Sequence, residues 1–398
     1  MTEERLFTPG PTPLPASVRE ILARPALHHR TAEFQTVLAR VTAGLMRLFG
    51  TRQPVLTLTG SGTAGMEALF SNLARPGEAV AVLHAGKFGE RWRSIARGYG
   101  VPVVELMRPW GASITPEEAA AFLDDEGQTA SLVFVTHSET STGALHDLEG
   151  IARVARERGK LVVADVITSL GVHEFDFDRW GLAGAVTGSQ KGLMLPAGLS
   201  FVALSGVGWK RAEEAELPRF YFDLLKARAS LNKNTTPFTP GVPLVLALEE
   251  SIRLIEEEGM EAVQARHARH ASACRAAVAA LGLELYADVP SNGLTAVRAP
   301  EGKDGQELVA TMLKEHGMRI AGGQEPMKGK LIRLGHMGSY TDADIVDLIG
   351  AWETTCRDLG WTDRSGARAT AENVLSGLVP QTSEAGIALR AQSDQSAA

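Results

Sequence analysis

At 398 residues, with 44% hydrophobic and 22% charged residues, the chain has the make-up of a soluble globular protein with room for roughly two or three domains. A formal charge of −7 leaves no basic footprint for nucleic acid, and two cysteines, Cys274 and Cys356, make no disulfide framework. The start Met1-Thr2-Glu3-Glu4-Arg5 carries no signal-type apolar core and no run of about 18 apolar residues occurs, so the expected compartment is the cytoplasm, without a membrane span.

Phe7-Thr8-Pro9-Gly10-Pro11-Thr12-Pro13-Leu14-Pro15 holds too much proline for a helix or a central strand, and predicts an extended arm over residues 1–20. The spacing of Phe34, Val37, Leu38, Val41, Leu45 and Leu48 predicts a helix over 33–49. Short β-type runs then alternate with helical segments, at residues 55–58, 79–83, 101–104, 132–135, 161–163, 185–187 and 199–204. Several are apolar on both faces, as strands covered by helices are. That alternation predicts an α/β domain over 21–258, with a mostly parallel central sheet sandwiched by helices. The connector Asn234-Thr235-Thr236-Pro237-Phe238-Thr239-Pro240-Gly241 leads into a helical stretch with Leu244, Leu248, Ile252 and Ile255 in register. After Gly259 the texture changes. An Ala/Arg/His-rich helix over 262–281, then Thr295-Ala296-Val297 and Leu331-Ile332-Arg333-Leu334, predict a smaller α+β C-terminal domain over 259–362. Residues 363–398 are Ser/Ala/Gln-rich and predict a poorly ordered tail, with one short helix near 371–378.

Two strand ends carry the chemistry. Asp165 closes the run Leu161-Val162-Val163-Ala164, and Lys191 follows the run at 185–187 in Gly188-Ser189-Gln190-Lys191-Gly192. Taken singly, Asp165 suits a helix cap and Lys191 an exposed turn. Together they are the pair that pyridoxal phosphate needs: an amine for a Schiff base with the aldehyde, and a carboxylate to keep the pyridine nitrogen protonated. Gly60-Ser61-Gly62-Thr63 follows a strand and opens a helix. It suits an anion held by glycine-spaced backbone and a helix start, or else a plain turn capped by Ser61. It lacks the Gly-Lys-Ser/Thr of a nucleotide loop, and although Gly65 completes the glycine spacing of a dinucleotide loop, no acidic residue ends a strand about twenty residues later. Phe88 is either a ring-stacking residue or a helix anchor. His137 and the turn Glu139-Thr140-Ser141-Thr142-Gly143 offer polar groups at another strand end. Arg333, amid apolar strand residues, is either a bidentate carboxylate clamp or an exposed edge-strand arginine. Cys274 and Cys356 fit core packing. No histidine spacing suggests a metal, and His28-His29-Arg30 is a basic cluster, either solvated or near the mouth of a site.

In their order, Pro9-Gly10-Pro11, Gly60-Ser61-Gly62-Thr63, Thr136-His137-Ser138-Glu139-Thr140-Ser141-Thr142-Gly143, Asp165-Val166-Ile167-Thr168-Ser169-Leu170-Gly171 and Gly188-Ser189-Gln190-Lys191-Gly192 resemble the class V aminotransferases. The likeness is to their alanine–glyoxylate, serine–glyoxylate and serine–pyruvate branch, and covers residues 7–361. It implies the fold type I architecture of pyridoxal-phosphate enzymes and a homodimer with shared active sites. Lys191 would then anchor pyridoxal 5′-phosphate and shuttle the proton, and Asp165 would bind the ring nitrogen. Ser61, Gly62, Thr63 and Gln190 would hold the phosphate, joined by Thr236 and Thr239 from the neighbouring subunit. Thr140 would lie near the ring oxygen and Phe88 on the ring face. Arg333, beside Gly10 of the arm, would bind the substrate carboxylate. Phe88 stands where relatives often have Trp, Thr63 where some have His and Thr236 where some have Tyr. The implied activity is ping-pong transfer of an amino group from serine, alanine or glycine to glyoxylate or pyruvate. Within the same fold, phosphonate or phosphoserine aminotransfer, a lyase or a cysteine desulfurase are alternatives. A non-catalytic hydrogenase-associated subunit is an alternative of another class.

Overall fold

The computed structural model describes residues 4–378 of the chain. Each of the seven apolar runs is a strand: β1 (Leu56–Thr59), β2 (Val80–His84), β3 (Val103–Met107), β4 (Leu132–Thr136), β5 (Leu161–Asp165), β6 (Gly184–Gly188) and β7 (Leu199–Leu204). They form one sheet in the order β1-β7-β6-β5-β4-β2-β3. Only β7 runs against the others, antiparallel to both β1 and β6.

Successive strand residues face opposite sides, so a strand that is apolar throughout needs cover on both. Ala81 and Leu83 of β2, Val133 and Val135 of β4, and Val162 and Ala164 of β5 enter one core. Val80, Val82, Leu132, Phe134 and Val163 enter the other. The first core is closed by Phe34, Leu38 and Leu45 of the helix Ala32–Phe49 and by Leu248 and Ile252 of the helix Val242–Glu258. The second is closed by Met66, Leu69 and Phe70 of the helix Gly62–Leu73 and by Trp92 and Trp209. Burying each large apolar side chain stabilises the fold by about 1.5–3 kcal/mol before entropy is counted. The result is an α/β sandwich that pins the C-terminal ends of β4, β5 and β6 side by side.

Gly259 separates two long helices. Its φ of 86° is a left-handed value, so Val242–Glu258 ends there and Met260–Ala280 leaves in a new direction. The second helix joins a smaller α+β unit. There β8 (Leu294–Arg298), β9 (Ala321–Gly322) and β10 (Leu331–Gly335) form an antiparallel sheet with β10 in the centre. Trp352, Met312, Ile345 and Leu348 fill its core, together with both cysteines.

The termini depart from the sequence expectation. The expected tail does not begin at residue 363: the helix Ala367–Leu375 buries Ala367, Ala371 and Val374 in the small core. Three apolar residues spaced four and three apart suffice for one helical face, even in polar surroundings. Residues 379–398 of that expectation lie outside the described residues. Within the expected arm, the helix Ala16–Leu22 starts directly after Pro15. The arm itself is docked. Arg5–Leu6 pairs in parallel with Met318–Arg319, and Phe7 stacks on Tyr340 with ring centroids 5.1 Å apart. Among the described residues no helix is long and apolar enough to cross a membrane.

Candidate active site

Asp165 ends β5, and Lys191 lies just beyond the end of the adjacent β6. The C-terminal edge of parallel strands is where open α/β sheets bind ligands. Both residues line one cavity there, together with Ser61, Thr63, Phe88 and Gln190. The capping and exposed-turn readings of the pair are therefore not realised.

Asp165 is 3% exposed, and Ile167 N donates to its Oδ1 at 2.8 Å. Burial pushes its carboxyl up to about 7, and the neighbouring Glu139 pushes in the same direction. A carboxylate so placed is stabilised by a cationic partner. Burial lowers the Lys191 amine to about 8, with the Arg333 charge adding to the effect. A buried amine with a depressed pKa is partly free base near neutrality, as a nucleophile or proton acceptor must be. Lys191 Nζ donates to Pro9 O of the arm at 2.5 Å. Gly10 follows with φ +112°, and a Cβ there would lie 2.3 Å from Lys191 Nζ. Gly10→Ala is expected to displace the amine and lower kcat by about 100-fold, the effect of a misplacement near 1 Å. Steady-state kinetics on a variant whose melting temperature is checked in parallel measures this.

Ser61 is the N-cap of the helix Gly62–Leu73, yet its hydroxyl makes no capping bond. The first N–H groups of a helix have no partner within it, and the dipole is positive there. The plain capped turn is thus not what forms. Gln190 contributes a side-chain oxygen that is buried without a partner among the described residues. A Cβ on Gly62 would lie 2.5 Å from Ile167 Cδ1, so a side chain there would have to push Ile167 into the cavity it lines. Open N–H groups and an idle serine hydroxyl fit a phosphate, and of the Gln190 carboxamide it is the NH2 that can donate to one. Asp165 fits a protonated ring nitrogen, Lys191 an aldehyde carbon and Phe88 the face of a flat ring. This donor set suits pyridoxal phosphate.

A second cavity continues from the first towards the small unit and is lined by Gly10, Phe88, Thr140, Lys191 and Arg333. Arg333 is not on an exposed edge. It sits in the central strand β10, 7% exposed, opposite Ala296 on one side and Ala321 on the other. Ile332 and Leu334 face the small core, so alternation turns Arg333 to the opposite face. Its Nε and Nη2 donate to Gly322 O at 3.0 and 2.7 Å, and its Nη1 donates to Thr140 O at 2.8 Å. These bonds fix the fork and leave part of it for a carboxylate. Burial lowers its pKa to about 10, so it stays cationic at neutral pH.

Arg91 and Glu139 are among the residues of the site to which the sequence reading gave no role. Arg91 lines the cavity beside Ser61 and Gln190. Glu139, read there only as part of a polar turn, is fully buried beneath the site. Its Oε2 accepts from Phe88 N and Gly89 N at 2.9 Å, and its Oε1 from Ser141 N at 3.0 Å and Ser141 Oγ at 2.5 Å. It thereby holds Phe88, half-buried at the cavity wall rather than anchored in the core, and the turn whose Thr140 carbonyl receives Arg333.

Other expected residues lie elsewhere. Thr236 and Thr239 line a separate cleft with Thr57, Thr59 and Tyr221, and Thr236 Oγ1 donates to Phe238 O at 2.7 Å. Within this chain they do not reach Lys191. Arg30 Nη1 donates to Thr235 Oγ1 at 2.8 Å, placing the His28-His29-Arg30 cluster beside that connector. His137 is buried 5.7 Å, ring to ring, from Trp180. Cys274 and Cys356 are free and buried, and burial pushes both thiols up, Cys274 to about 12.

Comparison with known proteins gives a family match over residues 16–348, to the class-V aminotransferases. A Synechococcus protein named as the small subunit of a soluble hydrogenase is 42% identical, over 90% of this chain and 94% of its own length. An L-aspartate–glyoxylate aminotransferase of Paracoccus denitrificans is 35% identical, over 90% and 92%. The crystal structure of an alanine–glyoxylate aminotransferase from Nostoc sp. superposes with a TM-score of 0.85 at 30% identity, covering 90% of this chain and 96% of that one.

Proposed function

The chain belongs to the class-V aminotransferases, a pyridoxal-phosphate-dependent family, and from that premise we propose that it moves the amino group of a small amino acid to glyoxylate or pyruvate. The observation that carries the proposal is the pair Asp165 and Lys191, at neighbouring strand ends in one cavity with an open helix start. When bound, pyridoxal phosphate supplies an electrophilic aldehyde and an electron-withdrawing ring. Ser61, Gly62, Thr63 and Gln190 hold its phosphate, Asp165 its ring nitrogen, Thr140 its ring-oxygen side and Phe88 its face. Arg333 grips the substrate carboxylate, with Gly10 leaving space beside the amine. Lys191 Nζ would take the proton from the substrate Cα as a general base and, as a general acid, deliver it to the carbon on the other side of the amino nitrogen rather than back to Cα. The same residues serve both half-reactions, so initial-rate plots should be parallel, as in ping-pong kinetics.

The donor is proposed to be serine, alanine or glycine. Arg319 also lines the substrate cavity, but both oxygens of Glu4 engage it, whereas Arg333 is held only by backbone carbonyls and, among the described residues, by no carboxylate. A second reading, an acidic donor, is favoured if Glu4 releases Arg319, and the Paracoccus relative carries such a name. A panel of donors against glyoxylate and pyruvate decides. Higher kcat/KM for serine or alanine supports the first reading, and strong preference for aspartate or glutamate replaces it with the second. Arg333→Gln is expected to raise KM for donor and acceptor by about 100-fold, the loss of charge-assisted bonds worth about 3 kcal/mol. Its cofactor absorbance should not change.

A homodimer in the cytoplasm is part of this proposal, with Thr236 and Thr239 serving the partner's phosphate. Phe220 and Tyr221, 72% and 43% exposed beside that connector, are apolar surface that such a contact would cover. A desulfurase is disfavoured because both thiols are buried in the small core. A purely non-catalytic subunit is disfavoured by the intact Lys191, Asp165 and Arg333 set. A purified protein that stays colourless with added pyridoxal phosphate would revive it.

A further inference from the structure

Arg91 lies in the helix Gly89–Gly98, whose other arginines have carboxylate partners. Arg93 reaches Glu105 at 3.1 Å, and Arg97 reaches the same carboxylate at 3.6 Å. Among the described residues no carboxylate lies within ion-pair distance of Arg91, although it is half-buried. Instead its Nη1 donates to Thr63 Oγ1 at 2.9 Å, and its guanidinium carbon stands 4.7 Å from the centroid of the Phe88 ring. It lines the cavity at the open helix start, where the only other cation among the described residues is Lys191.

A phosphate monoester brings a charge of about −1.5 to −2 at neutral pH, and a helix start offers only about half a positive charge against it. Lys191 is committed to the aldehyde end of the cavity. From these observations we infer that Arg91 is the counter-charge for the cofactor phosphate, acting directly and through Thr63. The inference rests on the cofactor reading above. The hydrogen bond to Thr63 explains how a threonine serves there. A hydroxyl that accepts from Arg91 has its own hydrogen free to donate to a phosphate oxygen. The cation behind it strengthens that donor. The contact of the guanidinium with the Phe88 ring keeps Arg91 at the cavity wall.

The test is titration of cofactor-free protein, followed by absorbance and tryptophan fluorescence, with pyridoxal phosphate and separately with pyridoxal, which lacks the phosphate. Arg91→Gln is expected to weaken pyridoxal phosphate binding by about 10- to 100-fold, as loss of a charge-assisted contact should, and to leave pyridoxal binding unchanged. Thr63→Val should show a smaller loss and Arg91→Lys a partial one. Equal affinity of Arg91→Gln and the parent for pyridoxal phosphate would overturn the inference. So would an equal loss for both ligands, since Arg91 would then act through Phe88 alone. Should circular dichroism show Arg91→Gln unfolded, Arg91→Lys and Thr63→Val decide, and unweakened binding by both overturns it. A parent protein that takes up no pyridoxal phosphate overturns the cofactor reading and this inference together.

Discussion

Replacing Lys191 with alanine is expected to lower turnover by about 10⁴-fold or more, the upper end of what a positioned general base contributes. The argument is geometric. Among the described residues Arg91 is the other cationic side chain lining that cavity, and it is hydrogen-bonded to Thr63 at the start of the helix Gly62–Leu73. Arg333 lines the adjoining cavity and is held by Gly322 and Thr140. Neither can move a proton at the substrate Cα, because a guanidinium stays charged. The variant should still bind pyridoxal phosphate through Asp165 and the helix start, but without a covalent link. A small exogenous amine should restore part of the rate. Stopped-flow measurement of one half-reaction is the check, and residual turnover above about one per cent would remove Lys191 from its role as the proton carrier.

Asp165→Asn is expected to give the second-largest loss. Removing one partner of a buried charge pair costs about 3–5 kcal/mol, which in a barrier is about two to four orders of magnitude in rate. Asparagine keeps the size and the acceptor oxygen facing Ile167 N, so the fold should be unchanged. What it cannot do is keep a ring nitrogen protonated. The expected signature is a fall in kcat with a changed cofactor spectrum and a little-changed KM for the amino donor. A fall in thermal stability with kcat retained would show that Asp165 serves the sheet edge rather than the cofactor.

How much of this was legible in the chain differs by layer. β2, β4 and β5 were readable because burial on both faces demands apolar residues at nearly every position, as in Ala79-Val80-Ala81-Val82-Leu83, whereas the edge strand β1 showed itself by the alternation Leu56-Thr57-Leu58-Thr59. Asp165, Lys191 and the Gly60-Ser61-Gly62-Thr63 turn were readable as strand-end chemistry. Phe88 and Arg333 stayed ambiguous, because facing depends on register. Only the pairing of Arg333 with Ala296 and Ala321 shows the small neighbours that leave it room. Arg91 carried no local signal. In Glu90-Arg91-Trp92-Arg93, one arginine faces the cavity and the other a surface glutamate, and composition cannot separate them. Glu139 was hidden in a similar way, since the donors that satisfy it come from residues 88, 89 and 141. A short helix near 371–378 was legible, but polar neighbours obscured its start at Ala367 and its docking through three buried residues.

The central claim is that Lys191 is the amine that engages pyridoxal phosphate. Borohydride reduction of the protein with bound cofactor, followed by digestion and mass mapping of the labelled peptide, tests it most directly. The account predicts one pyridoxyl-modified lysine, in the peptide containing Gly188-Ser189-Gln190-Lys191-Gly192. A label on any other lysine, or none after the cofactor is bound, would contradict it.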